Sequence, residues 1–199
     1  MHILFIMKVN KKINNKVIKI LSVVITIYWV VFGAFFLFNG VEKLFYPLRY
    51  KTEILSKTEY YDLDKSLVFS LVKAESNFNS KAVSKKGAKG LMQITDKTAE
   101  YVASLLEATN YDIFDVETNL NFGCFYLKYL IEKFNDEDLA VVAYNAGEGN
   151  VRLWLNTEKY SNDKKTLKDI PYSETKEYYN KIKNLRKKYK KLYFHILDK

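Results

Sequence analysis

The sequence has very few of the residues that build disulfides, metal sites and histidine-based catalysis. It has one cysteine, Cys124, and two histidines, His2 and His195, which lie at opposite ends of the chain. A single cysteine cannot form an intramolecular disulfide, and a lone thiol does not make a metal site. Two histidines so far apart also argue against a histidine-based metal site or a Ser-His-Asp triad. We therefore expect neither a metal nor a cofactor.

The sequence also lacks a convincing alternating strand, a tight-turn hairpin signal and an internal repeat. Hydrophobic residues make up 48% of its 199 residues and aromatic residues 16%, which is enough for a packed core. Several segments instead repeat apolar residues at helical spacing. We therefore predict a mainly α-helical protein, with one modest domain and an appendage.

The appendage is an uncharged apolar run over residues 20–41. About 20 apolar residues span a bilayer core, and the five lysines within residues 1–19 place that basic arm in the cytoplasm by the positive-inside rule. We expect a single-pass signal anchor with the rest of the chain outside. A cleaved signal peptide is the alternative, although the run is longer than usual and no clear cleavage site follows. A buried core helix is disfavoured because the run is apolar all round.

The exported part is predicted to contain a juxtamembrane stalk over 42–59, a folded domain over 60–190 and a basic tail over 191–199. Gly147 is a natural helix end, and Cys124 lies on an apolar stripe as a small core residue. The first predicted helix of this domain covers about 64–76, with Asp62 or Asp64 as its cap. A short helix is predicted from residue 90, with a second one after it. Further helices are predicted over 121–134 and 138–146, and Pro171 and Ser173 introduce a last one.

Glu75 falls on the apolar stripe of the helix predicted over about 64–76. It follows Val68 by seven residues, Leu71 by four and Val72 by three. Burial against apolar neighbours disfavours the charged carboxylate and raises its pKa. The helix pattern therefore predicts a perturbed carboxyl that keeps its proton near neutral pH.

Four short motifs occur in order: AES at 74–76, GLMQ at 90–93, AYNAG at 143–147 and ETKEYY at 174–179. Each is weak alone. Together, in this order and spacing, they resemble the lytic transglycosylase family, the soluble-lytic-transglycosylase catalytic domain with a lysozyme-like fold, over about residues 60–190. Proline is common in the family after GLMQI and after AYNAG, and this chain lacks it at both places. Neither departure touches a motif residue that would carry chemistry.

The resemblance implies cleavage of peptidoglycan glycan strands between N-acetylmuramic acid and N-acetylglucosamine. A single acid would protonate the leaving oxygen and then take the proton of the muramic acid 6-hydroxyl, which leaves a 1,6-anhydro end. The implied residues are Glu75 as the catalytic acid, Ser76 positioning the scissile sugar, Met92 and Gln93 lining the groove, Asn145 near the reacting ring, and Tyr144 and Tyr178 in the pocket wall.

Most glycosidases use two carboxylates. The candidates for a second one have no supporting pattern: Asp62, Asp64, Asp96, Glu100 and Glu148. A hydrolytic muramidase on the same fold and a non-catalytic peptidoglycan-binding envelope protein remain the alternatives. The basic, aromatic end of the chain is also typical of nucleic-acid binders, but an exported domain rarely meets nucleic acid, so we expect none. Its cations most often form a solvated face, with contact to anionic wall polymers or lipid head groups as the functional alternative.

Overall fold

The computed structural model describes residues 2–197, with side chains described over 17–36 and 40–197. Contacts divide the chain into two units, Met1–Pro47 and Leu48–Lys199. The described residues form helices and no strands, which confirms the predicted mainly α class. The helices are α1 His2–Phe45, α2 Lys51–Tyr60, α3 Lys65–Ser76, α4 Asp96–Leu105, α5 Val116–Phe134, α6 Glu137–Ala146, α7 Glu148–Leu155 and α8 Ser173–Leu197.

The first unit is the single long helix α1. Within its segment Val17–Phe45, the most apolar 18-residue window has a mean hydropathy of 2.4 and is not buried. By length and composition this helix is able to cross a membrane. A signal sequence has the same properties, so the two alternatives drawn from the sequence both fit α1.

The second unit begins earlier than the sequence predicted. Helix α2 packs against α3 and α5. Its Ile54 and Thr58, four residues apart, are buried. The predicted stalk over 42–59 is therefore too long, because residues 48–59 belong to the folded unit. This helix has only one fully buried apolar residue, so its weak apolar pattern did not reveal it.

Helix α3 forms the centre of the folded unit. The side chain of Asp64 accepts a hydrogen bond from the amide of Leu67 at 2.8 Å and caps the helix, as predicted. All residues over 66–72 are buried, because α3 packs against both α2 and α8. The helix ends at Asn77, whose left-handed backbone with φ of 50° stops it. Its last turn, which carries Glu75, therefore sits where the core meets the surface.

Helices α5 and α6 pack against each other behind α3. Helix α5 begins at Val116, five residues before the predicted start, because Asp115 caps it through the amide of Thr118 at 2.9 Å. Cys124 is buried in it, as predicted. Helix α6 ends at Gly147 with φ of 85°, also as predicted, but the following helix α7 was not expected.

The GLMQ segment is not the short helix that the sequence predicted. Residues 90–93 form turns, flanked by isolated bridges from Lys89 to Val83 and to Ile94. Gly90 has φ of 77°, a left-handed conformation that breaks a helix. The predicted last helix is α8, which buries Ile182 and Tyr189. Helix α8 takes in the predicted basic tail as far as residue 197, and residues 198–199 lie outside the described residues.

Candidate active site

Glu75 is held at the C-terminal end of α3 by two side chains of α8. The Tyr178 hydroxyl donates a hydrogen bond of 2.5 Å to Glu75 Oε1. Three residues further on, Lys181 Nζ donates to the backbone oxygen of Ala74 at 2.9 Å. Residues three apart share one face of a helix, so α8 presents a phenol and a cation to the same carboxyl.

Burial is the main influence on the Glu75 carboxyl. It raises the pKa of Glu75 from 4.5 to about 7, while the Tyr178 hydrogen bond and the charge of Lys181 act in the opposite direction. Glu75 therefore keeps part of its protonated form near neutral pH. The raised pKa expected from the apolar stripe is present, although the side chain is only half-buried and opens to a cleft.

Two cavities meet at Glu75. One of about 400 Å³ is also lined by Tyr144 and Asn145. The other, of about 510 Å³, is lined by Ser76 and Lys181. Both include Glu75, Ser84 and Gln93 in their walls, so open space lies on two sides of the carboxyl. Such a groove suits a chain-like substrate that continues past the reacting bond. A larger cavity of about 550 Å³ contains none of the predicted site residues.

Gln93 enters both cavities from the loop after α3. Its backbone has φ of 50°, and its Nε2 donates to the backbone oxygens of Gly90 at 2.9 Å and Ala82 at 3.2 Å. The amide is thereby held in one orientation across the loop. A fixed polar group of this kind is able to orient a sugar hydroxyl or acetamido group.

Met92 does not line the groove, contrary to the expectation for it. Its side chain is fully buried. A methyl group on Gly123 would come within 2.3 Å of the Met92 sulfur. Because the turn points Leu91 and Met92 into the core, only the backbone of Met92 serves the site, where its oxygen accepts a hydrogen bond of 2.9 Å from the Tyr144 hydroxyl.

Asn119 is a site-forming residue to which the sequence analysis gave no role. Its buried Oδ1 accepts from the Met92 amide at 2.8 Å, and its Nδ2 donates to the backbone oxygens of Lys89 at 3.0 Å and Ile113 at 2.9 Å. A methyl group on Gly90 would come within 2.2 Å of Nδ2. Asn119 therefore fixes the loop that carries Gln93. The signal in the sequence was a polar residue beside Leu120 at the start of an apolar helix.

The other predicted residues lie at the groove. Tyr144 is half-buried, and the exposed Asn145 accepts a hydrogen bond of 2.8 Å from the Thr175 hydroxyl, which joins the end of α6 to the start of α8. Ser76 lines the second cavity, and its hydroxyl donates to the backbone oxygen of Val72 at 3.1 Å. Of the seven predicted residues, all except Met92 line a cavity or contact Glu75 through a side chain.

A further carboxylate in the groove was not considered in the sequence analysis. Glu174 lines the first cavity, is exposed, and pairs with Lys86 at 3.2 Å. The five candidates for a second carboxylate are not in the walls described for either cavity beside Glu75. Among the residues that the structure describes, no group of three His, Cys, Asp or Glu side chains is placed to hold a metal ion.

Comparisons with known proteins agree with this geometry. The model of the family "Transglycosylase SLT domain" matches residues 53–167. The soluble lytic murein transglycosylase of Salmonella typhimurium is 35% identical over 155 residues, which cover 75% of this chain and 23% of that protein. The membrane-bound lytic murein transglycosylase F of Desulfosudis oleivorans is 33% identical over 143 residues, covering 66% and 30%.

Solved structures show the same fold. The crystal structure of the 70 kDa soluble lytic transglycosylase from Escherichia coli matches with a TM-score of 0.66 and 31% identity, over 76% of this chain and 25% of that one. The lysozyme-like fold implied by the four motifs is thereby confirmed, and the chain spans about a quarter of the length of these relatives. Since the family model covers more than half of its residues, the chain belongs to the transglycosylase SLT domain family.

Proposed function

We propose that this protein is a membrane-anchored peptidoglycan lytic transglycosylase. It cleaves the β-1,4 bond between N-acetylmuramic acid and N-acetylglucosamine without adding water, and Glu75 acts first as acid and then as base. The observation that carries the proposal is a half-buried carboxyl with a pKa of about 7 at the junction of two cavities. Family membership and the names of its relatives, which are murein transglycosylases, support the substrate class.

The first step is protonation of the leaving group. Protonated Glu75 gives its proton to the glycosidic oxygen as the bond from that oxygen to the muramic acid C1 breaks. The electron pair of that bond goes to the leaving oxygen, and positive charge develops on the muramic acid ring. The substrate's own acetamido oxygen stabilises this charge. Tyr178 donates its hydrogen bond to the carboxylate that Glu75 becomes, which favours the proton transfer.

The second step closes the ring. The 6-hydroxyl oxygen of the same sugar attacks C1, and its proton passes to the Glu75 carboxylate. The product is a 1,6-anhydro sugar, and Glu75 recovers the proton that it gave away. No second carboxylate takes part, because no water molecule has to be activated.

Hydrolysis by the same fold is the second candidate, and Glu174 is the observation that favours it. A second carboxylate in the wall of the cavity that Glu75 lines is able to activate a water molecule. Its exposure and its ion pair with Lys86 argue for a surface role instead. The two mechanisms differ in product, since the hydrolytic product is heavier by one water.

The deciding experiment digests purified peptidoglycan with the full chain in detergent and measures product masses. We expect anhydro products from the wild type and from Glu174→Gln. For Glu75→Gln we expect a loss of activity of about 10²–10⁴-fold, which is what proton transfer typically contributes. Equal cleavage by Glu75→Gln would show that this carboxyl does not carry the reaction. Hydrated products that disappear in Glu174→Gln would establish the muramidase instead.

The anchoring is part of the same proposal. Helix α1 is long and apolar enough to span a bilayer, and relatives named as membrane-bound support attachment. We expect residues 1–19 in the cytoplasm and the catalytic unit outside, as a single-pass protein. Protease added to intact spheroplasts should remove the folded unit and spare the arm. Sequencing the mature N-terminus separates this from a secreted, cleaved form.

The basic end of α8 is proposed to add weak electrostatic contact with anionic wall polymers or lipid head groups. Lys187 and Lys191 are exposed there, as a solvated helix face would also be. Retention on cell walls that falls as salt increases would support the contact, since salt screens exposed charges. Retention that is independent of salt would leave these lysines with a solvating role only.

A further inference from the structure

The cavity of about 510 Å³ beside Glu75 carries an excess of positive charge. Lys73 and Lys181 line it, and among the described residues in its wall Glu75 is the only acid. Burial, and then the positive charges of Arg49 and Lys181, lower the pKa of Lys73, so both cations lie close enough to repel the Lys73 ammonium group. Because Glu75 is partly protonated near neutral pH, it offsets only a fraction of this charge.

The two lysines are held in place by neutral acceptors. Lys73 Nζ donates to Asn77 Oδ1 at 2.5 Å, and Lys181 Nζ donates to the backbone oxygen of Ala74 at 2.9 Å. An ammonium group has three N–H donors, so each lysine retains donors for a ligand. The cavity on the other side of Glu75 differs, because its Lys86 pairs with Glu174 at 3.2 Å.

We propose that Lys73 and Lys181 bind a carboxylate carried by the substrate, so that the groove selects glycans with acidic substituents. This inference rests on the proposed function, and it narrows the substrate class from glycan strands in general to strands that carry a carboxylate. Muramic acid differs from glucosamine by a lactyl ether, which ends in a carboxylate or continues into a peptide that does. A bound carboxylate relieves the repulsion between the lysines, whereas an unsubstituted neutral sugar leaves that repulsion in place.

Binding is measured in a protein that is unable to cleave. The full-length Glu75→Gln variant in detergent mimics the protonated acid. Its probes are fluorescent soluble glycan strands, N-acetylated throughout, with free carboxylates or with the same carboxylates converted to methylamides. We expect about tenfold tighter binding of the free carboxylate form, which is what one charge-assisted hydrogen bond supplies. Adding Lys73→Gln and Lys181→Gln together should reduce this ratio to near one.

The matched control is Lys183→Gln, which removes the same charge from α8 at an exposed position outside both cavity walls and before the basic end that carries Lys187 and Lys191. It should keep the tenfold ratio. Thermal melting checks that each variant folds, and Lys73→Gln alone serves if the double change does not. A ratio near one before the lysines are changed, or a ratio equally reduced by Lys183→Gln, would overturn the proposal. Cleavage by the wild type is assayed separately: strands that are bound selectively but never cleaved would refute the proposed function and support the carboxylate preference.

Discussion

Replacing Tyr178 with phenylalanine removes the hydrogen bond to Glu75 and keeps the ring. The hydroxyl remains a donor over the working pH range, because burial raises the pKa of Tyr178 well above 10.0. It stabilises the carboxylate form of Glu75, so its loss should raise the pKa of Glu75 further. A hydrogen bond to a charged group contributes roughly 1.5–3 kcal/mol, and 1.36 kcal/mol corresponds to one pH unit. Since Glu75 is partly exposed, we use the lower end of this energy range. Tyr178→Phe should then move the pKa of Glu75 from about 7 toward about 8.

The assay is the pH profile of kcat/KM for peptidoglycan cleavage. Activity should fall as pH rises through the pKa of Glu75, because the protonated acid starts the reaction. In Tyr178→Phe this falling limb should move up by about one pH unit. Direct ¹³C NMR titration of Glu75 in the free protein gives the same quantity without turnover.

Tyr144→Phe is the matched control for this experiment. Its hydroxyl donates to the backbone oxygen of Met92, so its loss leaves the hydrogen bond on Glu75 intact. The falling limb should then stay where the wild type has it. A limb that does not move in Tyr178→Phe, moves to lower pH, or moves equally in Tyr144→Phe would refute the assignment of this hydrogen bond.

Three further predictions concern the stability and reactivity of the folded unit. Burial raises the pKa of Glu75 from 4.5 to about 7, so the wild type loses native stability as pH rises through this window. Glu75→Gln should therefore raise the free energy of unfolding by about 1–3 kcal/mol at pH 8 and change it little at pH 4. Equal effects at the two pH values would contradict the link between the raised pKa and stability. Asn119→Ala should lower the free energy of unfolding by about 2–3 kcal/mol in denaturant titrations, because three buried hydrogen bonds are lost. It should also lower activity. An unchanged denaturant midpoint would show that the loop is held by other contacts. Cys124 should react with a thiol reagent only when the protein unfolds, since the side chain is fully buried and burial raises its pKa to about 12. Rapid labelling of the native protein would argue against this packing.

Local signals were sufficient for much of the fold. A capping aspartate followed by apolar residues located α3, and a glycine after an apolar run located the end of α6. The position of Glu75 on its helix was enough to predict burial and a raised pKa, because both depend mainly on which face of α3 it occupies. The remaining site residues came from the motif order and not from periodicity.

The errors share a different cause. The turn at residues 90–93 is fixed by Asn119, 27 residues beyond Met92, so no local pattern reports that Met92 points into the core. Helix α2 is stabilised by packing on α3 and α5 and has little apolar pattern of its own. Glu174 reaches the groove only because α8 starts beside the end of α6. Each of these depends on contacts between segments that are distant in the sequence.

The contact between Glu75 and Tyr178 also has a consequence for the timing of synthesis. The two residues are 103 positions apart, and α8 follows all the other described helices in the chain. At 5–20 residues per second, roughly 5–20 s pass between the appearance of the acid and the appearance of its partner. During that interval the Glu75 carboxyl lacks the Tyr178 hydrogen bond and the nearby charge of Lys181. We therefore expect a nascent chain to lack the proposed catalytic geometry until α8 docks.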